Sequence, residues 1–221
     1  MREVFQNELD SLADMLVKMT EKVSVAMEKS KEALRTNDLE LAEEVIAGDI
    51  EIDRLQLELD KSAGEILALQ APVARDLRVV ISSLRMSASI ERMGDLARHV
   101  AQQVRIRFPE SAVPEGFEQI FTDMTTAAVR ISHAIHELVS EPGLEAVPTI
   151  DDLDETIDTL HLAVFTKIAG SSLNPSQVAD VTLLSRYLER FGDHAVSVAQ
   201  RIEYLLTGSW KSELIPGDDA Q

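Results

Sequence analysis

The chain carries one six-residue pattern twice. It reads Ile90-Glu91-Arg92-Met93-Gly94-Asp95 near the middle and Leu188-Glu189-Arg190-Phe191-Gly192-Asp193 near the end, ninety-eight residues apart. In a helix the Glu and Asp of each copy, four positions apart, share one face. Stacked like charges destabilise an isolated helix by roughly 0.2–0.5 kcal/mol, and a mid-helix glycine costs about 1 kcal/mol relative to alanine. A face selected only for solubility would avoid both. A second acidic pair precedes each copy: Asp49 and Asp53 before the first, Asp154 and Asp158 before the second. The alternative is a solvated acidic face, but two carboxylate pairs arranged alike in each half form a pattern that suits a cation. The repetition also restricts the fold to two copies of one helical unit.

Composition agrees with helices. Aromatic residues make up 4% of the chain, and nine Gly with seven Pro leave little material for sheet turns, which favours packing through Leu, Ile, Val, Ala and Met. Apolar periodicity at three and four predicts helices over about 3–35, 38–70, 73–107, 117–140, 149–170 and 175–207. Asn37-Asp38, Pro72, Pro109, Pro142-Gly143, Gly170 and Asn174-Pro175 punctuate them. Residues 109–116, with Pro109, Pro114 and Gly116, read as the linker. The expected fold is all-α: two tandem, similar three-helix bundles over 1–108 and 117–208, followed by a flexible tail over 209–221. The seam of the second helix is expected at Ile52, Leu55, Leu59, Ile66 and Leu69. The last helix shows the pattern best, with Val181, Leu184, Leu188, Phe191, Ala195, Val198, Ile202 and Leu205. All four acid pairs lie beside such seams rather than in them, so a site there would be shallow and partly wet.

The formal charge of −18 disfavours nucleic acid and anionic membrane surfaces. With no cysteine, any metal must be held by oxygen or imidazole. No stretch approaches the ~20 apolar residues of a membrane span, and the start lacks a signal-peptide core, so a cytoplasmic location is expected. The candidate metal ligands are Asp49, Asp53, Glu91 and Asp95 in the first half, and Asp154, Asp158, Glu189 and Asp193 in the second. Such a hard oxygen set fits Mg²⁺, Mn²⁺, Ca²⁺ or non-haem iron better than structural zinc. Gly94 and Gly192 serve either close helix packing or a bulky bound species. The Glu-x-x-His motif of di-iron bundles is absent; His161 and His194 could add a ligand in the second half only. Arg78, Arg85 and Arg92 recur every seven residues as a basic ridge, suited to surface ion pairing or to docking an anion. No nucleophile, Gly-rich phosphate loop or acid–base pair is visible.

These motifs resemble the PhoU family of bacterial phosphate-uptake regulators. The resemblance rests on the two Glu-x-x-x-Asp signatures at Glu91–Asp95 and Glu189–Asp193, the accompanying acids, and a duplicated layout over roughly 1–208. It implies a cytoplasmic, non-enzymatic, metal-binding homodimer. Such a protein restrains the phosphate-starvation response by linking a phosphate ABC transporter to a membrane sensor histidine kinase. It also implies iron or zinc on the acidic motifs, and the charge already argues against a nucleic acid partner. His194 departs from the repeat, since its counterpart is Leu96, so the two sites need not bind metal equally. A carboxylate-bridged metalloenzyme and a plain helical interaction protein remain open alternatives.

Overall fold

The computed structural model describes residues 2–209; the expected tail lies, from position 210 onward, outside the described residues. Six long helices follow in order: α1 (Arg2–Thr36), α2 (Leu39–Gln70), α3 (Ala74–Arg107), α4 (Glu118–Ser140), α5 (Val147–Ala169) and α6 (Pro175–Thr207), with one 3₁₀ turn at Leu144–Ala146. No strand occurs among the described residues.

Local chemistry sets the boundaries. Asp38 caps α2 by accepting from the Leu41 backbone N–H at 3.1 Å. At α6 Asn174 accepts from the Gln177 N–H while the Gln177 side chain accepts from the Asn174 N–H, a reciprocal cap, and Pro175 occupies the first turn. Gly208 ends α6 with φ of 76°, the left-handed conformation that glycine adopts without Cβ strain. Pro148 falls inside the first turn of α5 rather than before it, so that helix starts two residues earlier than the sequence predicts.

The helices form two three-helix units, α1–α3 and α4–α6. Within the first, α1, α2 and α3 pack on one another; within the second, α4, α5 and α6 do. The units join where α1 meets α4 and α3 meets α6. Their seams therefore merge into one core that includes Leu12, Met19, Ile52, Ile90, Met93, Met124, Ile131, Leu188 and Phe191. Each such side chain, removed from water, contributes about 1.5–3 kcal/mol of burial.

One expectation needs correction. Leu69 is 78% exposed, because the α2 seam ends at buried Ile66 and the last turn projects past the core. The segment between α3 and α4 connects the units where the sequence predicts the linker, and it is docked: Ala112, Val113 and Phe117 are buried, and the Asn37 side chain donates to the Pro109 carbonyl at 2.7 Å. Proline and glycine there mark a change of direction, and the apolar residues between them dock.

Helices α3 and α6 run antiparallel. Arg78 lies over the Tyr204 ring, His99 stacks on Tyr187, and Gln103 and Arg107 both reach Asp180. Asp180 is only 4% exposed, and it accepts from Gln103 Nε2 at 2.6 Å and pairs with Arg107 Nε at 2.7 Å. A buried carboxylate satisfied in this way fixes the register of one unit against the other.

Candidate metal centre

Each set of four acids is assembled by two adjacent helices. Asp49 and Asp53 come from α2 and face Glu91 and Asp95 on α3; Asp154 and Asp158 come from α5 and face Glu189 and Asp193 on α6. Asp49, Glu91, Asp95, Asp154 and Glu189 are half-buried, whereas Asp53, Asp158 and Asp193 are exposed. The expected shallow, partly wet border is what the helices form.

The two glycines allow this approach. A Cβ on Gly94 would stand 2.8 Å from Ile52 Cδ1 and 3.5 Å from Asp49 Oδ1. At Gly192 an added Cβ would run into Asp154 Oδ1 itself. Close packing and site geometry are thus the same feature: the missing side chain admits the facing acid. Gly192→Ala should therefore leave the melting temperature unchanged or raised, since helix propensity gains about 1 kcal/mol, while pushing the Asp154 carboxylate outward. Carbon-13 NMR titration of Asp154 should show its midpoint falling towards the ordinary carboxylate range; an unmoved midpoint would contradict the packing account.

The acids repel one another without a counter-charge. Burial, then Asp158, Asp193 and Glu189, push Asp154 up to about 7. Burial and neighbouring acids also raise Asp158 and Glu189. In the first half burial and neighbouring carboxylates raise Glu91, while Asp49 is raised mainly by burial and held back by Arg98.

Arg98 is the chief difference between the halves. Its guanidinium reaches from α3 to Asp49 Oδ2 at 2.5 Å and to Asp95 Oδ1 at 2.5 Å, bridging the two helices. Arg92 adds contacts to Asp95 at 3.0 Å and Glu91 at 3.6 Å. The repeat puts Val196 where Arg98 stands in the first half. Among the described residues, Glu189 is the one member of the set Asp154, Asp158, Glu189 and Asp193 with a close ion pair, to Arg186. Asp154 Oδ1 and Glu189 Oε2 are buried without a hydrogen-bond partner. Arg98 was readable as the residue three after Asp95, yet nothing in that spacing shows that it crosses to α2.

Among the described residues no three acidic or imidazole groups stand close enough to hold an ion as they are. In the first half an arginine already supplies the positive charge. In the second, two orphaned buried oxygens and a carboxylate pushed up to about 7 fit a hard cation. Asp154, Asp158, Glu189 and Asp193 would hold it after side-chain rotation. His161 is engaged with Ser185 Oγ at 3.1 Å and edge-on to Phe165. His194 is half-buried near Arg190, Asp193 and Arg92, and burial lowers its pKa. A cleft of about 640 Å³ between α1 and α2 includes none of the eight acids.

Comparison with known proteins matches the duplicated architecture. The family model for the PhoU domain matches twice, over residues 16–104 and 121–202. The chain is 40% identical to the phosphate-specific transport system accessory protein PhoU homolog 2 of Mycobacterium tuberculosis, over 95% of this chain and 100% of that protein. It is 38% identical to PhoU homolog 1 of Mycobacterium leprae, over 98% and 99%. Among solved structures, PhoU from Pseudomonas aeruginosa superposes with a TM-score of 0.85 at 25% identity, covering 93% of this chain and 100% of that one. The phosphate transport system regulatory protein PhoU from Streptococcus pneumoniae gives 0.82 at 27% identity, covering 93% and 98%. With both repeats matched and relatives aligned along nearly their whole length, the chain belongs to the PhoU family.

Proposed function

We propose that this protein is a non-enzymatic accessory regulator of phosphate uptake that acts in the cytoplasm, restraining the phosphate-starvation response through contacts with a phosphate ABC transporter and a sensor histidine kinase. The observation that carries the reading is the full-length match, both repeats included, to phosphate-transport accessory proteins. No helix among the described residues is long and apolar enough to cross a membrane, which accords with action from outside the bilayer.

Metal binding is part of this reading, with the second half as the stronger site. A bound divalent or trivalent cation would supply the positive charge that Asp154 and its neighbours lack. Asp154 and Glu189 contribute the inner oxygens, and Asp158 and Asp193 the exposed rim. In the first half Arg98 holds Asp49 and Asp95 in a comparable neutralised arrangement. Iron, zinc, manganese and magnesium are all within the range of ligand sets of this kind. Homodimerisation belongs to the proposal as well.

The test is genetic. A host lacking its own copy and carrying this protein should keep a phosphate-starvation reporter silent in high phosphate. Glu189→Ala/Asp193→Ala should derepress it several-fold. A control with Glu21, Glu28, Glu32 and Glu137 changed to Ala should not. Equal derepression by the control would reduce the motif acids to general surface charge, and failure of the unaltered protein to restrain the reporter would refute the regulatory reading.

A further inference from the structure

Helices of both units converge on an apolar cleft of about 180 Å³. Leu9 and Leu16 of α1, Met86 of α3 and Ile202 of α6 form its buried floor, and Val139 of α4 and Leu206 of α6 stand at its sides. One face of α3 lines it throughout, with Arg75, Arg78, Val79, Ser83 and Met86 in succession. Arg75 is exposed and Arg78 half-buried, so the apolar cleft has a cationic edge. Neither arginine forms an ion pair among the described residues. Ser83 is only 3% exposed, and its hydroxyl has no hydrogen-bond partner among the described residues. Ser24, Ser87, Ser132 and Ser185, also buried in helices, each donate to a carbonyl three or four residues earlier. Ser83 makes no such bond and borders the cleft instead. A buried hydroxyl left unpaired is unfavourable, and a ligand that supplies its partner removes that penalty.

The cleft is smaller than the ~300–1,000 Å³ of drug-sized sites, so its ligand is small. We infer that it binds an aromatic carboxylate, with the ring in the apolar cleft, the carboxylate at Arg75 and Arg78, and a ring N–H or O–H at Ser83. Each part answers one feature of the site. Planar guanidinium groups offer paired donors to a carboxylate. The Met86 thioether in the floor favours contact with an aromatic ring. A ring N–H or O–H needs a partner once buried, and the Ser83 hydroxyl lacks one. At 1.5 Å per residue Ser83 lies about 8 Å along the helix axis from Arg78, which sets the two polar ends of the ligand apart across a bicyclic ring. Inorganic phosphate would leave the cleft empty, and a saturated fatty acid would leave Ser83 unpaired. None of the eight motif acids borders the cleft, so the inference is independent of metal binding. A ligand there touches α1 and α3 of one unit and α4 and α6 of the other, which adds a small-molecule input to the regulatory reading.

The experiment is isothermal titration calorimetry of the full chain with indole-3-propionate as the probe. The wild type should bind it saturably, one per chain, and at least tenfold more tightly than the neutral indole-3-propionamide. It should bind 1-methylindole-3-propionate, which lacks the N–H, severalfold more weakly than the parent acid. Ser83→Ala should bring those two acids to equal affinity. Arg75→Gln/Arg78→Gln should bind acid and amide alike, with an unchanged melting temperature. If that variant fails to fold, Arg75→Gln alone, at an exposed position, should cut the preference for the acid at least threefold. Absence of saturable binding, or an undiminished preference for the acid in a folded arginine variant, would overturn the inference. So would a wild type that binds the methylated and parent acids equally. Tighter binding of octanoate would assign the cleft to acyl chains, and binding of an acidic Trp-containing peptide with none of the free acids would assign it to a protein partner; either result also overturns the inference.

Discussion

Metal-free protein is expected to lose stability as the pH rises from about 4 to about 7, and Asp154→Asn should remove the largest single part of that loss. Asp154 titrates at about 7 in the folded chain against 3.8 for the free group. Its folded pKa is raised, so between those values the native state binds more protons than the unfolded one, and stability falls with increasing pH. The contribution is complete below pH 4 and gone above about pH 7. The full shift would correspond to about 4 kcal/mol. The side chain is only half-buried and water screens it, so about 1–2 kcal/mol is the expected size. Chemical denaturation of the wild type and Asp154→Asn at pH 4.5 and pH 8, with chelator present, measures it. The variant should match the wild type at the lower pH and exceed it by that amount at the higher. With saturating Mn²⁺ at pH 8 the order should reverse, since a cation at a hundredfold excess over Kd adds about 2.7 kcal/mol to the form that binds it. A variant no more stable than the wild type at pH 8 would mean that Asp154 is not the strained member of the set.

The fold was largely legible because its signals are local and repeated. Asp38, Asn174 and Pro175 act at the helix starts where their chemistry places them, and the α6 seam from Val181 to Ile202 is buried as its spacing requires. The facing of Asp49 and Asp53 towards Glu91 and Asp95 followed from helical period plus short loops. Other features depend on tertiary contact and left no local trace. Val113 and Phe117 sit among prolines and a glycine, and only packing shows them to be core. Leu69 continues the α2 stripe by spacing, yet the helix outruns its partner. Asp180 looks like any surface acid until Gln103 and Arg107 arrive from α3. Arg98 is the most consequential case. The repeat made the two acid sets look equivalent, with His194 as the visible exception, but the side chain that divides them crosses between helices.

Arg98→Ala should produce the second large effect. The change removes the positive group bridging Asp49 and Asp95, leaving four acids in the first half beside Arg92 alone among their close ion-pair partners in the described residues. Without metal the variant should be less stable by about 1 kcal/mol, the scale of a partly exposed ion pair. With metal it should recover that loss and more, because the first half then resembles the second in charge. Bound cation should rise from one equivalent in the wild type towards two, with the new site abolished by Glu91→Ala/Asp95→Ala. A variant that is less stable and gains no metal would limit Arg98 to a structural role.

Metal content per chain tests most directly the claim that the duplicated acids form unequal cation sites. Protein equilibrated with Mn²⁺ or Fe²⁺, freed of loosely bound ions and analysed by inductively coupled plasma mass spectrometry, should retain close to one equivalent in the wild type. Glu91→Ala/Asp95→Ala should retain the same amount, and Glu189→Ala/Asp193→Ala almost none. Full retention in the last variant, or equal losses from the two, would contradict the account.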